Sequence, residues 1–194
     1  MGHRLSGIPG FYKATGPRGG RYWSFERQPG YYIPVRDVKG RIQALQRRMD
    51  DPGRGGKYKL FSGHKNLGGC SCGTPAHVAR PTELKDVRVW ITEGPLKANV
   101  ASRYLSAVVV GALTAPTWRP AIPVVEALGI TEVVLSYDQD LRANPDVGRA
   151  YRTLKEELKK HGLAVSRAVW DEKKGGKGVD DALATGAEVQ VVRV

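Results

Sequence analysis

Three carboxylates stand out because of where the hydrophobic pattern puts them. Glu93 follows the apolar run VRVWIT (87–92), Asp138 closes the run EVVLSYD (132–138), and Asp140 comes two residues later. Runs of this kind read as buried strands. If both belong to one parallel sheet, all three acids reach its carboxyl edge, where open α/β sheets bind their ligands. A cluster that offers only oxygen suits Mg²⁺ or Mn²⁺, which keep several waters and are held by one or two carboxylates together with substrate phosphate. Soft-metal chemistry would call for His or Cys, and neither stands near these acids in the sequence. A D-x-D pair alone is common in surface turns. The interval of about 45 residues from Glu93-Gly94 to Asp138, holding a strand and two helices, is far more restrictive.

The elements between and around these acids follow from periodicity. PLKANVASRYL (95–105) places Leu96, Val100 and Leu105 at helical spacing, and AVVVGAL (107–113) reads as a second strand. AIPVVEALG (121–129) reads as a short helix ending in a glycine cap. DVGRAYRTLKEELKKHG (146–162) is the clearest helix, with Val147, Ala150, Leu154 and Leu158 on one face, and LAVSRAVW (163–170) is a fourth strand. Strands and helices that alternate in this way predict a parallel sheet with right-handed crossovers. Upstream the character differs. The first 30 residues, around GIPGFYKATGPRGGRYWSF, read as loop with short strands. YYIPVRD and RIQALQRRMD predict a hairpin turning at Gly40, KYKLF predicts a third short strand, and the turn-rich stretch 62–82 puts a domain boundary near Pro81. The expected organisation is a small β-rich basic subdomain over 1–82 and an α/β domain over 83–194.

Charge narrows the partners. In 194 residues, 31 Lys and Arg oppose 19 Asp and Glu, a formal net charge of +12. A polyanionic partner accounts for this economically, because each neutralised phosphate releases counterions; a basic surface that serves only solubility is the plainer alternative. No run approaches the ~18 apolar residues that span a bilayer, and MGHRLSGIPG has no signal-peptide core, so no membrane partner and a cytoplasmic location are expected. Cys70 and Cys72 agree with a reducing compartment. With His64 and His77 they could form a zinc set, but one intervening residue is shorter than the usual spacing of paired zinc cysteines.

ITEGPLKA followed by VVLSYDQD resembles the Toprim domain of bacterial primases, type IA and type II topoisomerases and certain nucleases, over roughly residues 85–185. The resemblance implies a Rossmann-like parallel sheet flanked by helices. It implies Glu93 as the residue assisting proton transfer at the reacting oxygen and Asp138 and Asp140 as metal ligands, with Glu93 joining them at the metal. KGVDDALA (177–184) is similar to the primase segment that adds further carboxylates, so Asp180 and Asp181 become candidate second-metal ligands. Their alternative reading is an N-cap of a short helix.

Upstream, YYIPVRDVKGRIQALQRRMDD and KYKLFSG are similar to the stretch preceding the Toprim domain of bacterial DnaG-type primases, matching at Pro34, Arg36, Asp37, Gly40, Arg41, Arg47, Lys57 and Tyr58. Among these, Arg36, Arg47, Lys57 and Tyr58 are the candidates for holding template or nucleotide. Lys97, four residues after Glu93, could pair with that glutamate or reach a phosphate. Tyr137 lies inside the metal motif, and no separate domain carrying a topoisomerase tyrosine is evident. Trp23, Trp90 and Trp170 read as packing residues.

The expected activity is Mg²⁺- or Mn²⁺-dependent nucleotidyl or phosphoryl transfer, with primer synthesis on DNA leading. A Toprim nuclease and a binding module without turnover are the alternatives. The implied partners are single-stranded DNA or other nucleic acid, nucleoside triphosphates, and a helicase or other replication protein. The wording of the motifs is nearest to reduced Toprim proteins of mobile elements.

Overall fold

A computed structural model describes residues 5–53, 56–139 and 144–194. Asp140 lies outside them. The chain forms two compact units. One runs to Val35 and resumes over Ile42–Gly73; the other comprises Arg36–Arg41 and Thr74–Val194. The division after Gly73 leaves the strand before Pro81 with the second unit.

In the first unit, β1 (Phe11–Thr15) and β2 (Arg21–Phe25) pair antiparallel with Phe11 opposite Phe25. β3 (Gly30–Arg36), β4 (Ile42–Met49) and β5 (Tyr58–Leu60) make a second small sheet in that order. Among the described residues, Ile33, Val35, Ala44 and Met49 are this unit's buried hydrophobic residues, and a cluster of partly exposed aromatic rings packs beside them. Phe61 meets Phe11 and Phe25 edge to face at 5.7 and 6.0 Å between centroids, and Tyr32 at 5.2 Å. Gly10, at φ 91°, has the Phe61 ring against it, where a Cβ would collide. The hairpin between β3 and β4 turns at Gly40 (φ 79°), as its sequence predicts, and Asp37 Oδ1 accepts the N–H groups of Lys39 and Arg41.

The second unit is a six-stranded sheet among the described residues, ordered β11-β10-β9-β7-β8-β6. Its centre is parallel: β7 (Asp86–Glu93) pairs with both β8 (Ala107–Ala112) and β9 (Glu132–Leu135), and β9 with β10 (Ala164–Val169). Two short edge strands run antiparallel, β6 (His77–Ala79) against β8 and β11 (Gln190–Arg193) against β10. The period-2 alternation of the strands divides the core. Val89, Ile91, Val133 and Leu135 face α2 (Ala121–Leu128) and α3 (Pro145–Lys160), which bring Val125, Leu154 and Leu158. Trp90, Val109 and Val134 face α1 (Pro95–Leu105) and α5 (Val179–Ala184) with Ala98, Ala101, Val179 and Ala182. A single-turn helix α4 (Glu172–Gly175) precedes α5.

Helix α1 spans the expected residues but buries mainly small ones. Its buried residues are Pro95, Ala98, Ala101 and Ser102, while Leu96 is 37% exposed. Leu105 packs partly against the same cluster, but large apolar residues at helical spacing do not by themselves mark the inner face. Small ones do, because the helix lies close on β8: a Cβ on Gly111 would stand 2.9 Å from the Gly94 carbonyl oxygen and 3.0 Å from Ala98 Cβ. That contact fixes the start of α1, immediately after Glu93. Gly111→Ala should therefore destabilise the protein by about 1–3 kcal/mol, the usual cost of overpacking, whereas Leu96→Ala should stay within about 0.5 kcal/mol. Urea unfolding of the two variants checks this.

Candidate functional site

The acidic edge begins where β7 and β9 end. β7 and β9 are in register from Val89↔Val133 to Ile91↔Leu135, and regular pairing of β9 stops at Leu135, earlier than the apolar run suggests. Buried side chains continue the connection. Ser136 N–H and Oγ both donate to Ile91 O, at 2.8 and 3.1 Å, and Thr92 Oγ1 donates to Ser136 O at 3.1 Å. These bonds hold half-buried Glu93 and buried Asp138 at the same carboxyl edge.

The loop leading into α5 joins them. Gln139 N–H donates to Lys177 O at 3.2 Å, and Trp170 Nε1 donates to Gly176 O at 2.8 Å. Helix α5 starts with Gly178 as N-cap, and no side chain caps it. Asp180 and Asp181 thus lie in the first helical turn and neither is the cap. Asp180 Oδ1 is buried without a hydrogen-bond partner, and burial pushes its carboxyl above the ordinary aspartate range, with Lys97 opposing and Asp181 reinforcing the shift. Asp181 is exposed.

Lys97 projects into this arrangement. Its Nζ donates to Asp138 Oδ1, a partner 41 residues away where sequence suggested nearby Glu93 or a phosphate. A Cβ on Gly178 would collide with Asp180 Oδ1 and approach Lys97 Nζ to 3.2 Å, so ammonium and carboxylate share the space that glycine leaves open. Among the described residues no three His, Cys, Asp or Glu side chains gather as a ready-made metal cage. The donors nevertheless fit a hard divalent cation: they are carboxylate oxygens, one is buried and orphaned, and glycine leaves it room.

Neighbouring side chains are otherwise occupied. Tyr137 is 1% exposed, and burial, reinforced by the charge of Glu93, raises its phenol far above the ordinary value, so it stays protonated. His77 accepts from Arg36 N–H through Nδ1 and faces Asn99 Oδ1 through Nε2, both at 3.0 Å, which engages both ring nitrogens. Arg36 itself is exposed, with its guanidinium on Gly40 O at 2.9 Å.

In the first unit the basic candidates separate. Arg47 is 3% exposed. Its guanidinium donates to Glu26 O at 3.0 Å and to Glu26 Oε2 and Gln28 Oε1 at 3.2 Å, and it lies over the Tyr32 ring. It braces strand β4 from within and offers no free face to phosphate. Exposed Lys57 lies 5.8 Å from the ring centroid of Tyr58. Beside them is a group that the sequence did not single out. Arg48, paired across the sheet with Tyr58, donates to Tyr31 Oη at 3.2 Å and lies 5.5 Å from that ring's centroid. Tyr31 and Tyr58 are 41% and 40% exposed, so two tyrosines flank a cation on an open sheet face.

Comparison with solved structures places this architecture. A DNA primase domain from Pseudomonas aeruginosa matches with a TM-score of 0.60 at 19% identity, over 91% of this chain and 53% of its own. The zinc-binding and RNA polymerase domains of Aquifex aeolicus primase match with a TM-score of 0.57 at 17% identity, over 92% and 44%. The chain has the fold of bacterial primase catalytic cores. A DnaG primase catalytic domain bound to single-stranded DNA also matches, with a TM-score of 0.56 at 20% identity, over 91% and 54%. The chain thus spans about half the length of these primase structures. A family model described as a domain of unknown function, DUF3854, matches residues 121–189. No curated protein sequence matches the chain.

The burial of Arg47 carries a prediction. Arg47→Ala should lower stability by about 1–3 kcal/mol through lost packing and unpaired acceptors, while leaving the salt dependence of nucleic-acid binding at its wild-type slope. Thermal unfolding and a salt titration of DNA binding on the same variant check both halves.

Proposed function

We propose that this chain is a primase-like core that transfers nucleotides on a nucleic-acid template, with a divalent metal ion at Glu93, Asp138 and Asp180. What supports the reading is that Glu93 and Asp138 lie at the carboxyl edge of the sheet, with the orphaned Asp180 Oδ1 near Lys97, the partner of Asp138, in a fold like that of primase structures. Asp140, two residues past Asp138, and exposed Asp181 are further proposed ligands. Mg²⁺ or Mn²⁺ bound there would neutralise triphosphate charge and align attacking and leaving oxygens. Glu93 takes the proton of the attacking hydroxyl as its oxygen bonds the α-phosphorus and the bond to pyrophosphate breaks. The oxygen donors and the net charge of +12 both suit a polyphosphate substrate.

The first unit is the proposed nucleic-acid face. Tyr31 and Tyr58 offer rings on which bases stack, and Arg48 and Lys57 offer charge to the backbone, a combination that suits single strands of mixed sequence. Arg36 adds an exposed cation. Arg47 drops out of this set because it is buried.

A single gel tests the reading: labelled nucleotides and single-stranded DNA with Mg²⁺ or Mn²⁺, read for both extension and cleavage. Extension is expected, and Glu93→Gln should reduce it by about two orders of magnitude or more while leaving DNA binding intact. Arg48→Ala with Lys57→Ala should weaken binding and flatten the slope of log affinity against log salt by about one to two. Cleavage without extension would replace the primase reading with a nuclease. Binding without turnover under either metal would remove catalysis altogether.

A further inference from the structure

Lys97 is out of place by the rules of helix electrostatics. It occupies the first turn of α1, where aligned peptide dipoles disfavour a cation, and that turn carries no acidic residue to compensate. Its side chain is only about one-quarter exposed, so its charge is not simply dissolved in solvent. What surrounds the ammonium explains it. Asp138, itself 12% exposed at the side chain, accepts from it directly. The orphaned Asp180 Oδ1 reaches the same space over Gly178. Packing fixes the arrangement, since α1 and α5 lie together on one sheet face through Ala98, Ala101, Val179 and Ala182.

We propose that Lys97 is the resting counter-ion of the acidic edge, a tethered cation that holds Asp138 and Asp180 together in the metal-free protein and must release Asp138 before that carboxylate can ligate a divalent ion. The inference rests on the reading of these acids as metal ligands and assigns Lys97 a role that the reading does not contain. Two like charges, one buried and one partly buried, repel each other until a cation lies between them. Lys97 supplies one covalently, so the site stays assembled without metal. The consequence is competition: the divalent ion binds more weakly than it would to the same carboxylates without the lysine.

Binding of Mn²⁺, followed through the electron-spin resonance signal of the free ion, tests this on four proteins. Lys97→Met should bind Mn²⁺ about tenfold more tightly than wild type or better, because a like charge has left the site. Lys97→Arg should bind no more tightly than wild type, and Asp138→Asn should bind much more weakly. Unchanged or weaker binding in Lys97→Met, with wild-type binding intact, would overturn the counter-ion role and leave the metal site standing. Undiminished binding in Asp138→Asn would overturn the metal reading itself, and this inference with it. A second measurement needs no variant. Acylation of Lys97 by a small amine reagent, quantified by peptide mass, should accelerate severalfold at saturating Mn²⁺ as the ammonium is released; an unchanged rate would overturn the proposal.

Discussion

The parallel pairing of β7 with β9 is the constraint on which the site depends. Both strands are central, and their residues from Val89 to Ile91 and from Val133 to Leu135 are almost completely buried. A one-residue slip would turn Trp90 and Val134 into the α2–α3 layer and strand the valines opposite them. With that register locked, Glu93 and Asp138 have no choice of edge. Thr92 and Ser136 complete the connection with side-chain bonds inside the core, in a place where an unpaired hydroxyl would be costly. The tight seat of α1 on Gly111 then sets where the helix begins, and with it the position of Lys97.

Electrostatics explains the remainder of the edge. A carboxylate as buried as Asp138 requires a partner, and Lys97 is that partner. Asp180 leaves its Oδ1 without a hydrogen-bond partner, and burial raises its carboxyl. The protein therefore keeps one acid satisfied and one poised. On the first unit the same physics runs with the opposite sign: Arg47 is satisfied internally by Glu26 and Gln28, while Arg48 and Lys57 keep company with exposed aromatic rings.

Much of this was legible in the sequence, for reasons that particular residues show. Pro95 at the first helical position and Gly129 in a left-handed cap delimit α1 and α2 by backbone chemistry, and those bounds agree with the pattern to within a residue. The strongly amphipathic α3 declared its buried face through Ala150, Leu154 and Leu158. The edge strands β6 and β11 did not appear, because three or four residues carry too little alternation to separate them from turns. On the inner face of α1 close packing selects alanine over leucine, which leaves Leu96 outside and does not show in periodicity alone. Long-range partners were beyond reach: nothing local to Arg47 announces Glu26, and nothing local to Lys97 announces Asp138.

Manganese anomalous diffraction from crystals of the intact chain grown with and without Mn²⁺ tests the central claim most directly. The account predicts an anomalous peak at the carboxyl edge within bonding distance of Asp138, with Lys97 Nζ moved off that carboxylate relative to the metal-free crystal. A peak elsewhere, or none at saturating Mn²⁺ with Lys97 still bonded to Asp138, would contradict it.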